Sequence, residues 1–65
     1  MCYFNSSAIV AADYDPASRL LHIWFTSKDE PYTHYRVPEH IFRGLITAPS
    51  AGSYYNSHIR GRYTA

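Results

Sequence analysis

Arg19-Leu20-Leu21-His22-Ile23-Trp24-Phe25-Thr26 decides how this chain folds. Aromatic and branched apolar side chains are concentrated in it, and turn-forming residues bound it on both sides, which is the signature of a strand. Alternation along a strand sends Leu21, Ile23 and Phe25 to one face and Leu20, His22 and Trp24 to the other. Working backwards, Asp15-Pro16-Ala17-Ser18 is a turn with proline set for its second position. Before it, residues 8–14 form a short apolar segment free of helix stop signals and read as another strand. Working forwards, Ser27-Lys28-Asp29-Glu30-Pro31 is a second turn, and residues 32–37 (Tyr-Thr-His-Tyr-Arg-Val) read as a third strand. Connections this short join antiparallel neighbours, so strands over 8–14, 19–26 and 32–37 make a meander.

Pro38 changes the pattern. Its fixed φ suits a first helical turn, and Glu39 favours the positive end of the helix dipole. Ile41, Phe42, Leu45 and Ile46 then fall on one side at helical spacing. The spacing predicts a helix over 38–48 that Pro49 ends. Ser50 is placed to cap a second helix over 51–59, whose apolar side carries Tyr54, Tyr55 and Ile59 and which Gly61 stops. The expected fold is α+β: a three-stranded antiparallel meander followed by two helices packed on one face of the sheet. Its core is expected to hold Leu21, Ile23, Phe25, Ile41, Phe42, Leu45 and Ile59.

Sixty-five residues make one small domain. A chain of this size buries only about 60% of its unfolded surface, so each core side chain weighs heavily. Cys2 is the sole cysteine, which excludes an internal disulfide and favours a reducing compartment. There is no apolar run of membrane-spanning length and no secretory leader pattern, so the expected location is cytoplasmic with no membrane partner. The formal net charge is only +1, but it is unevenly spread: residues 1–32 carry −2 and residues 33–65 carry +3. All the cations of the second half are arginine: Arg36, Arg43, Arg60 and Arg62. Arginine suits bidentate phosphate contact and stacking.

The sequence resembles the KTSC domain, named for the C-terminal extension of some lysyl-tRNA synthetases and found also as small stand-alone bacterial proteins. The resemblance runs through Ser6-Ser7, Tyr14-Asp15-Pro16, Tyr32, Val37-Pro38, Leu45 and Ala48. It continues through Ser50, Gly52, Tyr55-Asn56, Ile59-Arg60 and Tyr63. It implies an α+β fold and RNA binding as the usual functional suggestion. Two positions depart from the family pattern: Tyr32-Thr33-His34 stands where Tyr-x-Tyr is frequent, and Ala51 stands where lysine is common.

The last quarter of the chain carries the main candidate site. Tyr54, Tyr55, Asn56, His58, Arg60, Arg62 and Tyr63 combine aromatic faces with cationic forks, the chemistries single-stranded nucleic acid demands. Asn56 and Arg60, four apart, share a helix side. They could offer it to a phosphate or base, or Asn56 could cap backbone while Arg60 pairs with Asp13 or Asp15. Tyr32, His34 and Arg36 share a strand face that reads either as a stacking platform or as rings packed on the helices. The expected partner is RNA or another polyanion, held without catalysis.

Two alternatives belong to other classes. His34 and His58 could act as an acid–base pair, with Arg60 on the phosphate, in a metal-independent ribonuclease. Leu20 and Trp24, on the sheet face away from the helices, could serve a protein–protein adaptor or a weak homodimer. His22, His34, His40 and His58 lack the paired spacing and cysteine partners of a structural zinc site, so neither a metal nor a cofactor is expected.

Overall fold

The computed structural model describes residues 2–63. Four strands, β1 (Cys2–Tyr3), β2 (Ile9–Asp15), β3 (Leu20–Phe25) and β4 (Tyr32–His34), form one antiparallel sheet in sequence order. Two helices follow, α1 (Glu39–Thr47) and α2 (Ala51–Tyr54), and α2 runs directly into a π-helical turn at Tyr55–Ile59. The α+β class and the meander are as the sequence implies. The strand count differs, because the two residues of β1 pair with Ala11 and Ala12, and so short a strand carries no alternation to read.

Register assigns the faces. Ala12, Ile23 and Tyr32 stand in one row and Tyr14, Leu21 and His34 in the next, all on the helix side. Tyr3, Ala11 and Trp24 form a row on the opposite side, as do Asp13, His22 and Thr33. A register shift at Val10 lets Ile9 rejoin the helix side opposite Phe25, the usual effect of a one-residue bulge.

The core contains Ile9, Ala12, Leu21, Ile23, Val37, Leu45, Ala51, Tyr55 and Ile59. Of the expected core, Leu21, Ile23, Leu45 and Ile59 are fully buried, while Phe25, Ile41 and Phe42 pack against its edge. Tyr14 stacks on Phe42 with ring centroids 5.0 Å apart and donates its hydroxyl to the Val37 carbonyl. That bond ties the middle of the sheet to the segment entering α1.

β4, expected from the sequence over 32–37, is shorter than that. It ends at His34, because Arg36 adopts a left-handed backbone (φ 59°) that a ladder cannot accommodate. Arg19 does the same (φ 60°) in the β2–β3 turn, and its carbonyl receives the Val37 N–H at 3.0 Å. In that turn the hydroxyl of Ser18 and the backbone N–H of Ala17 hold the Asp15 carboxyl below its ordinary 3.8.

Candidate nucleic-acid interface

The residues singled out in the sequence are dispersed: His34 is buried, Tyr54 and His58 pack together beside the α1–α2 connection, and the others fall on three open surfaces. His34 is 2% exposed. Its Nδ1 lies 2.8 Å from the Tyr63 carbonyl and its Nε2 3.0 Å from the Tyr55 hydroxyl. A carbonyl can only accept, so Nδ1 carries the proton and Nε2 accepts from Tyr55. Both nitrogens are committed. His34 is therefore neither a stacking surface nor one half of an acid–base pair, and the ribonuclease arrangement is not assembled. The helix-side position of strand residue 34, next to the core, is the cause.

His58 lies elsewhere. Its ring packs on Tyr54 at 4.4 Å between centroids, beside Ala48, Pro49 and Ser57. Tyr54 in turn is pressed over Gly44, where a Cβ would meet its hydroxyl oxygen at 2.1 Å. Tyr54 is thus a clamp between α1 and α2, and its ring face is not free for a base.

The first open surface is a groove of about 490 Å³ where the end of β3, the β3–β4 loop and the π-helical turn meet. Phe25 is its aromatic hub, with Tyr32 edge-on at 5.2 Å and Tyr55 edge-on at 5.1 Å. Tyr32 keeps 39% of its surface exposed, with Lys28 Nζ 5.8 Å from its ring centre. Asn56 and Arg60 line the opposite wall. The π-helical turn brings them there: the Arg60 N–H bonds back five residues to the Tyr55 carbonyl at 2.8 Å, closing a turn one residue wider than an α-turn. Such bulges recur at functional positions in helices.

Neither structural role foreseen for Asn56 and Arg60 is realised. Asp15 is satisfied within its own turn, and Asp13 lies on the sheet face turned away from the helices. Among the described residues neither side chain has a hydrogen-bond or ion-pair partner. The Tyr55 hydroxyl feels the same surroundings: burial raises its pKa above the ordinary 10.0, the Arg60 charge opposes that rise, and Tyr32 adds to it. Among the described residues no carboxylate lines the groove. Lys28 and Tyr55 complete it. Lys28 does not stand out in sequence, because Asp29 and Glu30 outweigh its charge in the same turn; Tyr55, which belongs to the candidate cluster in sequence and also to the apolar side of the second helix, is buried.

These features sit within a recognisable family pattern, because the KTSC domain sequence model matches residues 5–63. The chain belongs to the KTSC domain family. This KTSC domain is 42% identical over 61 residues to a protein of Tsukamurella paurometabola, covering 94% of this chain and 90% of that one. It also superimposes on the crystal structure of a KTSC domain protein from Yersinia pestis with a TM-score of 0.88 at 31% identity, covering 94% of this chain and 84% of that one. Among the described residues, no helix of the KTSC domain is long and apolar enough to cross a membrane. No three of its described His, Cys, Asp and Glu side chains gather as metal ligands.

The second surface holds Tyr35, Arg36, Arg62 and Tyr63 around an open depression. The third lies on the far face of the sheet, where Tyr3, Val10, Ala11 and Trp24 border a shallow apolar hollow. Leu20 and Trp24 are both half-buried there, and Tyr3 is 77% exposed.

Proposed function

We propose that this KTSC domain is a non-catalytic binding module for single-stranded RNA, which it takes in the groove between the β3–β4 loop and the π-helical turn. One observation carries the reading: Lys28, Asn56 and Arg60 share a groove with an exposed tyrosine ring, and none of its described lining residues is a carboxylate. In this reading Lys28 and Arg60 neutralise phosphates, the Asn56 amide bonds a base edge, and Tyr32 offers the face on which a base stacks. The RNA suggestion attached to the family agrees with it.

Two neutralised phosphates imply a log–log salt slope of about −1.4 for a single strand, or about a sevenfold loss of affinity between 50 and 200 mM salt. Fluorescence anisotropy with a labelled single-stranded RNA, read at several salt concentrations, tests this. Arg60→Ala should weaken binding and flatten the slope. Binding that ignores both salt and Arg60→Ala overturns the proposal.

A second reading rests on the far face of the sheet. Tyr3 and Val10 are exposed beside half-buried Trp24, which suits an adaptor or a weak self-association. Sedimentation equilibrium of wild type against Trp24→Ala decides it: a strictly monomeric wild type removes the self-association. The acid–base reading receives no such support, since His34 is closed off from any phosphate.

A further inference from the structure

Two arginines adopt left-handed backbone conformations in this domain, Arg19 and Arg36. Glycine and asparagine hold such positions at less steric cost, and strained backbone of this kind is found at functional sites. At Arg36 the surroundings suggest a task. Tyr35, Arg36, Arg62 and Tyr63 line one open depression of about 620 Å³, and none of its described lining residues is a carboxylate. Among the described residues neither Arg36 nor Arg62 is held by a carboxylate.

Arg62 is not on a loose tail. Gly61 turns the chain at φ 79°, and the N–H groups of Arg62 and Tyr63 both bond the Ile59 carbonyl, at 3.0 and 3.1 Å. The Tyr63 carbonyl is then fixed by the buried Nδ1–H of His34 at 2.8 Å. The same His34 ends β4, and Arg36 follows two residues later. One imidazole therefore holds both sides of the depression in register, and two guanidinium forks flanked by two tyrosine rings face a common space.

We propose that Arg36 and Arg62 form a phosphate-binding subsite, separate from the Lys28–Arg60 groove. Two planar forks meet the tetrahedral oxygens of a phosphate group by paired N–H···O bonds, for which lysine is a poor substitute. Tyr35, 52% exposed, and half-buried Tyr63 leave room for a ring attached to that phosphate. The shared chemistry is a phosphate group, free or at the end of a nucleotide.

The test is a titration of the full chain with inorganic pyrophosphate and, in parallel, with adenosine 5′-monophosphate. Binding is followed by NMR shifts of the arginine Nε–H groups. Arg36 and Arg62 should shift together, and Arg36→Ala or Arg62→Ala should each weaken binding about tenfold or more. Arg36→Lys should lose most of the affinity despite keeping the charge. Arg36→Gly should weaken binding as much as Arg36→Ala while keeping or raising the melting temperature, because glycine relieves the left-handed strain. That variant keeps the test decisive even if the alanine changes disturb folding. A Tyr35→Ala change that weakens the nucleotide but not pyrophosphate assigns the site to a nucleotide end; equal effects assign it to free phosphate. Absence of joint shifts, or pyrophosphate affinity unchanged when Arg36→Ala and Arg62→Ala are combined, overturns the proposal. Arg60→Ala should leave this titration unmoved, so it fails or stands independently of RNA binding in the groove.

Discussion

The Tyr55 hydroxyl donates to His34 Nε2 at 3.0 Å inside the core, while His34 Nδ1 donates to the Tyr63 carbonyl at 2.8 Å. This chain of polar contacts links the π-helical turn, the last strand and the final described residue of the chain. The two rings also meet edge to face at 5.4 Å. No described buried side-chain polar atom lacks a partner, so breaking this link leaves a new unsatisfied group in a domain with little stability to spare.

Tyr55→Phe removes the donor and orphans His34 Nε2, which should cost about 1–3 kcal/mol. His34→Ala removes both bonds and a buried ring, and about 2–4 kcal/mol is expected. Urea denaturation followed by tyrosine fluorescence measures both. Losses under about 0.5 kcal/mol would mean that water replaces the histidine without penalty, against its burial.

The raised Tyr55 pKa gives a pH dependence with a definite sign. Burial, the larger influence, holds the phenol in its protonated form when folded, so its pKa exceeds the ordinary 10.0 despite the opposing Arg60 charge. Above pH 10 the unfolded chain loses this proton first, and unfolding is favoured as pH rises. The stability Tyr55 contributes is therefore intact below pH 10 and falls away through its folded pKa. Denaturation midpoints between pH 9 and pH 11.5 should drop more steeply in wild type than in Tyr55→Phe. Parallel slopes would show that the alkaline loss arises elsewhere.

Periodicity reaches some parts of this molecule and not others. Leu21 and Ile23 announce the core because a half-buried strand repeats every two residues, and Ser50 announces its helix because its hydroxyl accepts the Ser53 N–H. The end of β4 is illegible because arginine at position 36 gives no hint of a left-handed backbone. His34 is ambiguous for a related reason: an imidazole can serve a surface or a core, and only the placement of Tyr55 and Tyr63 decides. The cluster Tyr54 to Tyr63 reads as one site in sequence, yet a wide helical turn and a glycine fan its side chains outward in different directions. Lys28 joins Arg60 only through tertiary packing, which one-dimensional spacing does not encode.

Gly44 lies under the Tyr54 ring, where a Cβ would stand 2.1 Å from the hydroxyl oxygen and 2.5 Å from the ring carbon that bears it. Alanine gains up to about 1 kcal/mol over glycine in an unobstructed helix. Here overpacking should outweigh that gain, and Gly44→Ala should destabilise by about 1–2 kcal/mol. In a Tyr54→Ala background the obstruction is gone, so the same change should become stabilising. A double-mutant cycle by thermal melts checks the reversal. A Gly44→Ala that stabilises both backgrounds would remove the clamp role of Tyr54.

Asn56→Asp is the most economical probe of the RNA groove. Asn56 is exposed and its amide has no hydrogen-bond partner among the described residues, so the nearly isosteric change should alter stability by less than about 0.5 kcal/mol. Its effect on a polyanion is large for two reasons. A carboxylate enters a groove with none among its described lining residues, and there it can draw the neighbouring Arg60 guanidinium into an ion pair. Affinity for single-stranded RNA at low salt should fall about tenfold, and the salt slope should flatten as one phosphate contact is lost. Asn56→Ala, which removes the amide but adds no charge, should cost far less. His58→Ala, on the Tyr54 side of the helix, should cost nothing. Anisotropy titrations of the three variants side by side separate the outcomes. Equal affinities for wild type and Asn56→Asp would mean that RNA, if bound at all, lies on another surface.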